Sequence, residues 1–343
     1  MINTRRLLRL TIWAIVFSAA FVVLLAACTA APQPTETLVP SPLPSQTSTP
    51  TPIKPTATAS ATSTPTETPA TPTPTEEPVG ESVRFAVIGD YGSGNQNEAD
   101  VAALINSWNP DLIITTGDNN YPDGEAETID EHVGQFYSEF IAPYYGSYGE
   151  GGQENRFFPS LGNHDWHAKD AQPYLDYFTL PGNERYYDFT WGPIHFFALD
   201  SDSDEPDGAN SRSIQANWLE VGLAESDSIW KVVYLHHAPY SSARHGPRER
   251  TQWPFAEWGA DVVFAGHDHT YERIFKDGIY YFVNGLGGAS IYDFNVVIEG
   301  SQVRYNEDHG AMLVEVNEQI MQIQFISRAG EVIDDVQLAK SES

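Results

Sequence analysis

The chain has 343 residues, with 47 acidic and 18 basic side chains and a formal net charge of -29 at pH 7. The charged residues of positions 1–80 cancel, so this charge belongs to residues 81–343. A surface this acidic excludes a basic face for nucleic acids, and an anionic ligand would need positive charge supplied locally at its site.

The first residues are typical of a secretory signal. Arginines within the first nine residues precede an apolar run at residues 10–27. The run ends in Leu25-Ala26-Ala27-Cys28, which resembles the lipobox of bacterial lipoproteins. We therefore predict that residues 1–28 are a signal peptide, that Cys28 is lipidated, and that the protein is extracytoplasmic and lipid-anchored in the cell membrane. The alternative is an uncleaved membrane-spanning anchor, because the run is just long enough to cross a bilayer.

Residues 29–80 are mostly Pro, Thr and Ser. They offer almost no apolar side chains for a core, so burial cannot offset the entropy lost on ordering them. We predict a disordered, extended spacer. Cys28 is the only cysteine in the chain, which excludes an intramolecular disulfide.

Residues 81–343 are long enough for one large domain. Apolar, strand-like runs occupy residues 83–89, 112–116, 157–161, 194–199, 231–235 and 262–265, and helical spacing marks residues 96–108 and 214–224. This alternation predicts βαβ units and a largely parallel sheet. Three closing runs, at 279–283, 312–316 and 320–326, lack long helices between them and favour an antiparallel second sheet. We predict an α/β (α+β) fold, a two-sheet β-sandwich with flanking helices.

Five of the runs end in short polar segments. They are Gly89-Asp90-Tyr91-Gly92, Gly117-Asp118-Asn119-Asn120-Tyr121, Gly162-Asn163-His164-Asp165, His236-His237-Ala238-Pro239 and Gly266-His267-Asp268-His269. In open α/β sheets, ligands bind at the loops beyond the carboxyl ends of strands. The segments therefore predict a single shared site.

The potential ligands in these segments suit transition metals. They comprise two carboxylates, one amide and three imidazoles, from Asp90, Asp118, Asn163, His237, His267 and His269. Hard oxygens combined with imidazoles favour Fe, Zn or Mn over Ca or Cu(I). Six protein ligands are too many for one tetrahedral ion with an open position, but they suit two ions that share a carboxylate. Such a pair can hold a phosphate and activate a water.

Together the segments resemble the calcineurin-like metallophosphoesterases, whose pattern is Asp-x-His, Gly-Asp, Gly-Asn-His-Asp/Glu, His and Gly-His-x-His. The chain departs from this pattern at Gly92, which stands where most members have the first His. Tyr121, three residues after Asp118, replaces the missing ligand. This exchange, and the segment from Gly266 to Arg273, resemble the purple acid phosphatases.

The resemblance implies a metallophosphoesterase fold with two metal ions at the carboxyl ends of the strands. The implied Fe(III) ligands are Asp90, Asp118, Tyr121 and His269. Asp118 would bridge to a divalent Fe, Zn or Mn ion, whose other implied ligands are Asn163, His237 and His267. The resemblance also implies that His164 hydrogen-bonds the phosphate or the leaving group. The tyrosine fits Fe(III), because a phenol with a pKa near ten stays ionised at neutral pH only beside a highly charged metal.

Two adjacent histidines compete for one ligand position. Successive side chains of a strand point in opposite directions, so only one of His236 and His237 should reach a metal. The family's His-x-Pro pattern favours His237, which is followed by Ala238 and Pro239. His236 is then predicted to be a packed or supporting residue.

A short basic segment, from Ser242 to Arg250, accompanies the metal motifs. Residues 242–247 resemble the stretch of the family that brings a substrate-facing histidine over the metals, which implies a catalytic role for His245. The segment is one residue shorter than in animal members of the family. Arg244 and Arg248 are predicted to bind the substrate, because the domain has few other basic residues. The alternative is a solvated basic loop.

Three functions remain open on the sequence alone. The first is an extracytoplasmic phosphatase in which a metal-bound hydroxide attacks phosphate monoesters in line. The second is a phosphodiesterase or nucleotide hydrolase on the same site, since the rim of the pocket decides between these substrates. The third is a non-catalytic surface binding protein. The loss of a metal ligand would indicate such a protein, and no ligand is missing from the predicted set.

Overall fold

The computed structural model describes residues 82–340. The predicted signal peptide, Cys28 and the predicted linker lie outside the described residues. Between residues 82 and 340, no helix is both long enough and apolar enough to cross a membrane.

The described residues form strands and short helices. The strands are β1 (Val83–Ile88), β2 (Leu112–Thr115), β3 (Phe157–Pro159), β4 (Tyr187–Trp191), β5 (Ile194–Ala198), β6 (Trp230–His237), β7 (Val262–Gly266), β8 (Tyr271–Lys276), β9 (Ile279–Asn284), β10 (Ser301–Tyr305), β11 (Gly310–Val316), β12 (Ile320–Ser327) and β13 (Val332–Ala339). The α-helices are α1 (Gln96–Ser107), α2 (Gln135–Tyr137), α3 (Asn163–Trp166), α4 (Gln172–Tyr177), α5 (Ile214–Glu225) and α6 (Phe255–Trp258).

The strands form two mixed sheets, which confirms the predicted two-sheet architecture. The first has six strands in the order β13-β12-β11-β1-β2-β3, and the second has seven in the order β10-β8-β9-β7-β6-β5-β4. Strands β1, β2 and β3 are parallel in the first sheet, as are β5, β6, β7 and β9 in the second. The predicted helix at 96–108 is α1, which crosses from β1 to β2 and begins at Asn95, whose side chain accepts hydrogen bonds from the next turn.

The prediction that the three closing runs form an antiparallel second sheet is wrong. Strand β9 pairs in parallel with β7 in the second sheet, whereas β11 pairs antiparallel with β1 and carries β12 and β13 into the first sheet. The chain therefore crosses back between the sheets after β10, a long-range pairing that the periodicity of the closing runs does not reveal.

The two sheets pack face to face over an aromatic core. Phe85 of β1 contacts Phe196 of β5 and Phe264 of β7, with ring centroids 5.2 Å and 6.4 Å apart. A second apolar cluster lies on the outer face of the second sheet, where Leu219 and Leu223 of α5 are fully buried. The five polar segments follow β1, β2, β3, β6 and β7, which run in parallel within their sheets, so they meet at one edge of the sandwich.

Candidate metal centre

Four side chains converge at this edge in a first donor group: Asp90, Asp118, Tyr121 and His269. The Tyr121 hydroxyl lies 3.2 Å from Asp90 Oδ1, 3.0 Å from Asp118 Oδ2 and 3.1 Å from His269 Nε2. Two donors that lie about 2.1 Å from one ion, at right angles, are about 3 Å apart. The spacing of the first donor group therefore fits one shared ion.

A second donor group adjoins the first and contains Asp118, Asn163, His236 and His267. His236 Nε2 lies 3.1 Å from Asn163 Oδ1, 3.2 Å from His267 Nδ1 and 3.4 Å from Asp118 Oδ2. Asp118 Oδ2 is therefore a member of both groups, while Asp118 Oδ1 accepts the backbone N–H of His164 at 2.9 Å. One carboxylate oxygen lies where an atom bridging two ions would be.

The hydrogen bonds of the histidines test whether these groups fit metals. His236 donates Nδ1–H to the Thr116 carbonyl at 2.8 Å, so its neutral form presents the lone pair of Nε2 to the amide oxygen of Asn163. His269 donates Nδ1–H to another backbone carbonyl and presents Nε2 to Asp90 Oδ1 at 3.2 Å. A cation between each lone pair and the oxygen that faces it would be coordinated by both, so both groups fit metal ions.

Electrostatics point the same way in the first donor group. Burial, and then the charges of Asp118 and Asp90, raise the pKa of the Tyr121 phenol well above its usual value. Burial alone would lower the pKa of His269, but Asp90 outweighs it and raises that pKa. The group therefore carries excess negative charge, and a multiply charged cation would be needed to ionise the phenol.

The backbone at the ligand positions is strained. Asp90, Asp118 and His267 have φ values of 53°, 53° and 70°, in the left-handed region that side chains other than glycine rarely adopt. Each follows a glycine at the end of a parallel strand. Strain of this kind concentrates at functional sites, where the surrounding structure holds it.

Gly92 shows why this chain has no histidine at that position. A Cβ atom on Gly92 would lie 1.7 Å from the carbonyl oxygen of Asn119, and the Gly92 carbonyl accepts the Tyr121 N–H at 2.6 Å. The close approach of these two backbone segments leaves no room for a side chain at 92. It also brings the Tyr121 loop over Asp90, so the two departures from the family pattern are physically linked.

At the histidine pair, the structure places His236 near the other donors, and not the predicted His237. His236, fully buried, lies in the second donor group, whereas His237 is bonded to Ser201 and belongs to neither group. The cause is a bulge: the pairing of β6 with β7 slips by one residue between Tyr234 and His237. An extra residue re-aims the side chains that follow it, which counting along the sequence cannot detect.

His164 lies beside both donor groups. Its Nδ1 donates to the Pro122 carbonyl, its Nε2 lies 3.9 Å from Asp118 Oδ2, and its ring is 4.4 Å from that of Tyr121. The side chain is 30% exposed. An exposed imidazole with a fixed ring orientation next to the shared carboxylate can exchange a proton with a bound ester.

The basic segment borders the second donor group. The rings of His245 and His267 have centroids 4.2 Å apart, and Arg248 donates to His267 Nε2 at 3.0 Å. Arg244 lies 4.9 Å above the ring of Tyr292. The structure thus brings all three predicted residues of this segment to the mouth of the site.

Sequence reasoning missed the residues that support this arrangement. The ring of Tyr292 stacks on that of His269, with centroids 4.0 Å apart. Asp165 accepts hydrogen bonds from Asn119 and Gly162. Burial, and then the charge of Asp118, raise the pKa of Asp165 to about 7. Glu272 is buried in β8, which follows the Gly-His-x-His segment, and accepts two hydrogen bonds from Ser242. Asp165 and Glu272 do lie in the motifs, but Tyr292 is in a loop with no pattern that marks it. Among residues 82–340, Asp90, Asp118 and His269 are the one set of carboxylates and imidazoles whose ligand atoms all lie within 4.8 Å of one another. The second donor group is less compact and includes the Asn163 amide.

Arg244 and Arg248, at the entrance of the site, lead to a prediction about substrate binding. Neutralising both, as Arg244→Gln/Arg248→Gln, should raise KM several-fold at low salt with a smaller change in kcat, because the acidic surface repels an anion and salt screens the attraction. Steady-state kinetics over a series of salt concentrations would measure this. The control variant Arg84→Gln/Arg212→Gln removes two positive charges from the surface away from the site. Equal KM values for the two double variants at every salt concentration would exclude the steering role.

Comparisons with known proteins agree with this geometry. The model of the family described as "Calcineurin-like phosphoesterase" matches residues 83–271. Purple acid phosphatase 22 of Arabidopsis thaliana is 31% identical over 205 residues, which are 56% of this chain and 45% of that protein. Purple acid phosphatase 3 of the same plant is 25% identical over 304 residues, which cover 74% of this chain and 76% of that protein.

Solved structures share the fold. The purple acid phosphatase PPD1 from yellow lupin superposes with a TM-score of 0.60 at 18% identity, covering 76% of this chain and 54% of that chain. GAP50, described as the anchor in the inner membrane complex of Plasmodium, superposes with a TM-score of 0.59 at 18% identity, covering 76% of this chain and 90% of that chain. The chain spans about half of the lupin protein and of the first Arabidopsis relative.

Proposed function

Because the chain belongs to the calcineurin-like phosphoesterase family, we propose that it is a dinuclear metal phosphatase of the purple acid type that hydrolyses phosphate monoesters outside the cytoplasm. The observation that carries this proposal is the position of Asp118 Oδ2, which lies 3.0 Å from the Tyr121 hydroxyl and 3.4 Å from His236 Nε2. One oxygen shared by two adjacent donor groups is what a pair of adjacent ions requires.

The proposed ligand sets follow the two donor groups. Fe(III) would be held by Asp90, Asp118, Tyr121 and His269, and a divalent Fe, Zn or Mn ion by Asp118, Asn163, His236 and His267. When bound, the two ions would supply a polarised phosphoryl group and a water activated for in-line attack. Tyr121 favours iron at the first position, because a phenolate is a hard anionic donor.

The chain's own residues would orient and protonate the substrate. His164 holds its Nδ1–H on the Pro122 carbonyl, so its Nε2 carries a second hydrogen only in the imidazolium form. That imidazolium would donate Nε2–H to the phosphoryl oxygen or give this proton to the leaving alkoxide, and the ring would then be neutral. Arg244, His245 and Arg248 would draw the phosphate toward the second donor group. A monoester dianion carries more charge than a diester, so this basic mouth in an acidic domain favours monoesters.

The test is hydrolysis by the full chain loaded with iron and zinc. We expect p-nitrophenyl phosphate to be hydrolysed with a higher kcat/KM than bis(p-nitrophenyl) phosphate. A preference for the diester would replace the monoester assignment with a phosphodiesterase. Absence of both activities in protein that holds two metals would favour the non-catalytic binding protein.

We also propose that Cys28 carries a lipid that tethers the enzyme to the outer face of the cell membrane. The support is the sequence Leu25-Ala26-Ala27-Cys28 at the end of the apolar run. Cys28→Ser should block processing or release the protein from the membrane fraction, which immunoblotting of cell fractions would detect. A Cys28→Ser protein that is still processed to the mature size and still membrane-bound would instead indicate an uncleaved transmembrane anchor.

A further inference from the structure

His237 has an environment different from that of its neighbour His236. Its backbone N–H donates to Ser201 Oγ at 2.8 Å, and its Nδ1 lies 3.0 Å from the same oxygen. Ser201 is 2% exposed, and His237 is 5% exposed. The imidazole is therefore held by a buried hydroxyl and not by the donor groups.

The hydrogen of this hydroxyl fixes the tautomer of His237. Within residues 82–340, no group other than His237 lies within hydrogen-bond distance of Ser201 Oγ. Because buried hydroxyls donate their hydrogen, the Oγ–H goes to Nδ1 and the neutral ring carries its proton on Nε2. His236 is the reverse, since it donates Nδ1–H to the Thr116 carbonyl, and the Nε2 of its neutral ring faces Asn163 and Asp118 with a lone pair.

The two adjacent imidazoles thus offer opposite groups to the site: His236 a metal ligand and His237 an N–H donor. The ring of His237 lies against that of His267, with centroids 4.4 Å apart. Arg248 and His245 contact the same His267 ring. In the described part of the chain, no acceptor is bonded to His237 Nε2, and this nitrogen is not among the buried side-chain atoms without a partner, so it is accessible to a ligand.

We propose that His237 is a substrate-contacting residue that donates Nε2–H to a phosphoryl oxygen at the second donor group, and that Ser201 is a positioning residue that holds it in the donor tautomer. The phosphate would complete the hydrogen bonding of Nε2, beside the guanidinium of Arg248. This inference deepens the proposed function and rests on it for the identity of the bound anion.

The test measures phosphate affinity and metal content in the full chain loaded with two metals. Titration calorimetry with inorganic phosphate should show that His237→Ala binds phosphate about 10- to 100-fold more weakly, the effect of losing a hydrogen bond to a charged group. Elemental analysis should show that both metals remain. His237→Gln keeps an N–H donor at similar reach and should recover part of the affinity.

Two further variants sharpen the result. Ser201→Ala removes the hydroxyl that selects the tautomer, and should weaken phosphate binding less than His237→Ala does. His195→Ala is the matched control, because His195 also pairs with a serine hydroxyl, Ser226 Oγ at 2.9 Å, but at the start of β5 and away from the site. Its phosphate affinity should equal that of the parent.

Loss of one metal in His237→Ala would overturn the inference, because the residue would then be a ligand. Parental phosphate affinity in His237→Ala, or failure of the parent itself to bind phosphate, would overturn it as well. A parent that binds phosphate through His237 but hydrolyses no ester would refute the proposed function and leave this inference standing.

Discussion

Asp118→Asn should remove both metals and lower the phosphatase activity by about 10³-fold or more, because two ions together supply several kcal/mol of transition-state stabilisation. The substitution keeps the size of the side chain and an acceptor for the His164 N–H. It removes the anionic oxygen that lies 3.0 Å from the Tyr121 hydroxyl and 3.4 Å from His236 Nε2. Elemental analysis and steady-state kinetics of the purified full chain would measure both effects.

Asn163→Ala is the comparison for this prediction. The Asn163 amide contacts only the second donor group and carries no charge. This variant should therefore keep the first metal and lose much of the second. If Asp118→Asn and Asn163→Ala lost the same amounts of the same metals, the carboxylate would not be shared between the two sites.

His164→Ala should retain both metals and lower kcat by about 10²–10⁴-fold, the contribution of a positioned general acid. The physical reason is the geometry of the ring, which donates Nδ1–H to the Pro122 carbonyl and holds Nε2 3.9 Å from Asp118 Oδ2. The effect should be smaller for p-nitrophenyl phosphate than for an alkyl phosphate, because nitrophenolate leaves without protonation.

His167→Ala provides the control for that experiment. His167 is exposed, pairs with Asp123 at 3.2 Å, and has its ring 5.0 Å from that of His164. The variant should keep parental kcat, since neither donor group contacts this imidazole. Loss of a metal from His164→Ala would instead identify His164 as a ligand.

The fold was predictable where local pattern and long-range packing agree. The run that became β1 and the helix α1 differ from the prediction by one residue at their carboxyl ends. The positions of Asp90, Asp118 and His269 at strand ends followed from the rule for parallel strands. Pairing across the sandwich was not predictable in this way, because strand β11 returns to β1 from more than 200 residues further along the chain.

The structure brings together most of the residues that the sequence predicts for the site, but their detailed arrangement was not predictable. The bulge in β6 moves His236 into the second donor group and turns His237 toward Ser201, and a bulge leaves no mark in the periodicity of a single sequence. The left-handed backbone at Asp90, Asp118 and His267 depends on tertiary constraints at the ends of the strands. Tyr292 reaches His269 from a loop between β9 and β10, which only the folded chain brings near.

We propose that two ions, one of them iron bound to Tyr121, share Asp118. Elemental analysis combined with the visible spectrum of the full chain would detect both ions and the bond between Tyr121 and iron. We expect two transition-metal ions per chain, at least one of them iron, and a charge-transfer band between the tyrosinate and iron that Tyr121→Phe abolishes. One ion per chain, or an active iron-free protein without colour, would contradict the claim.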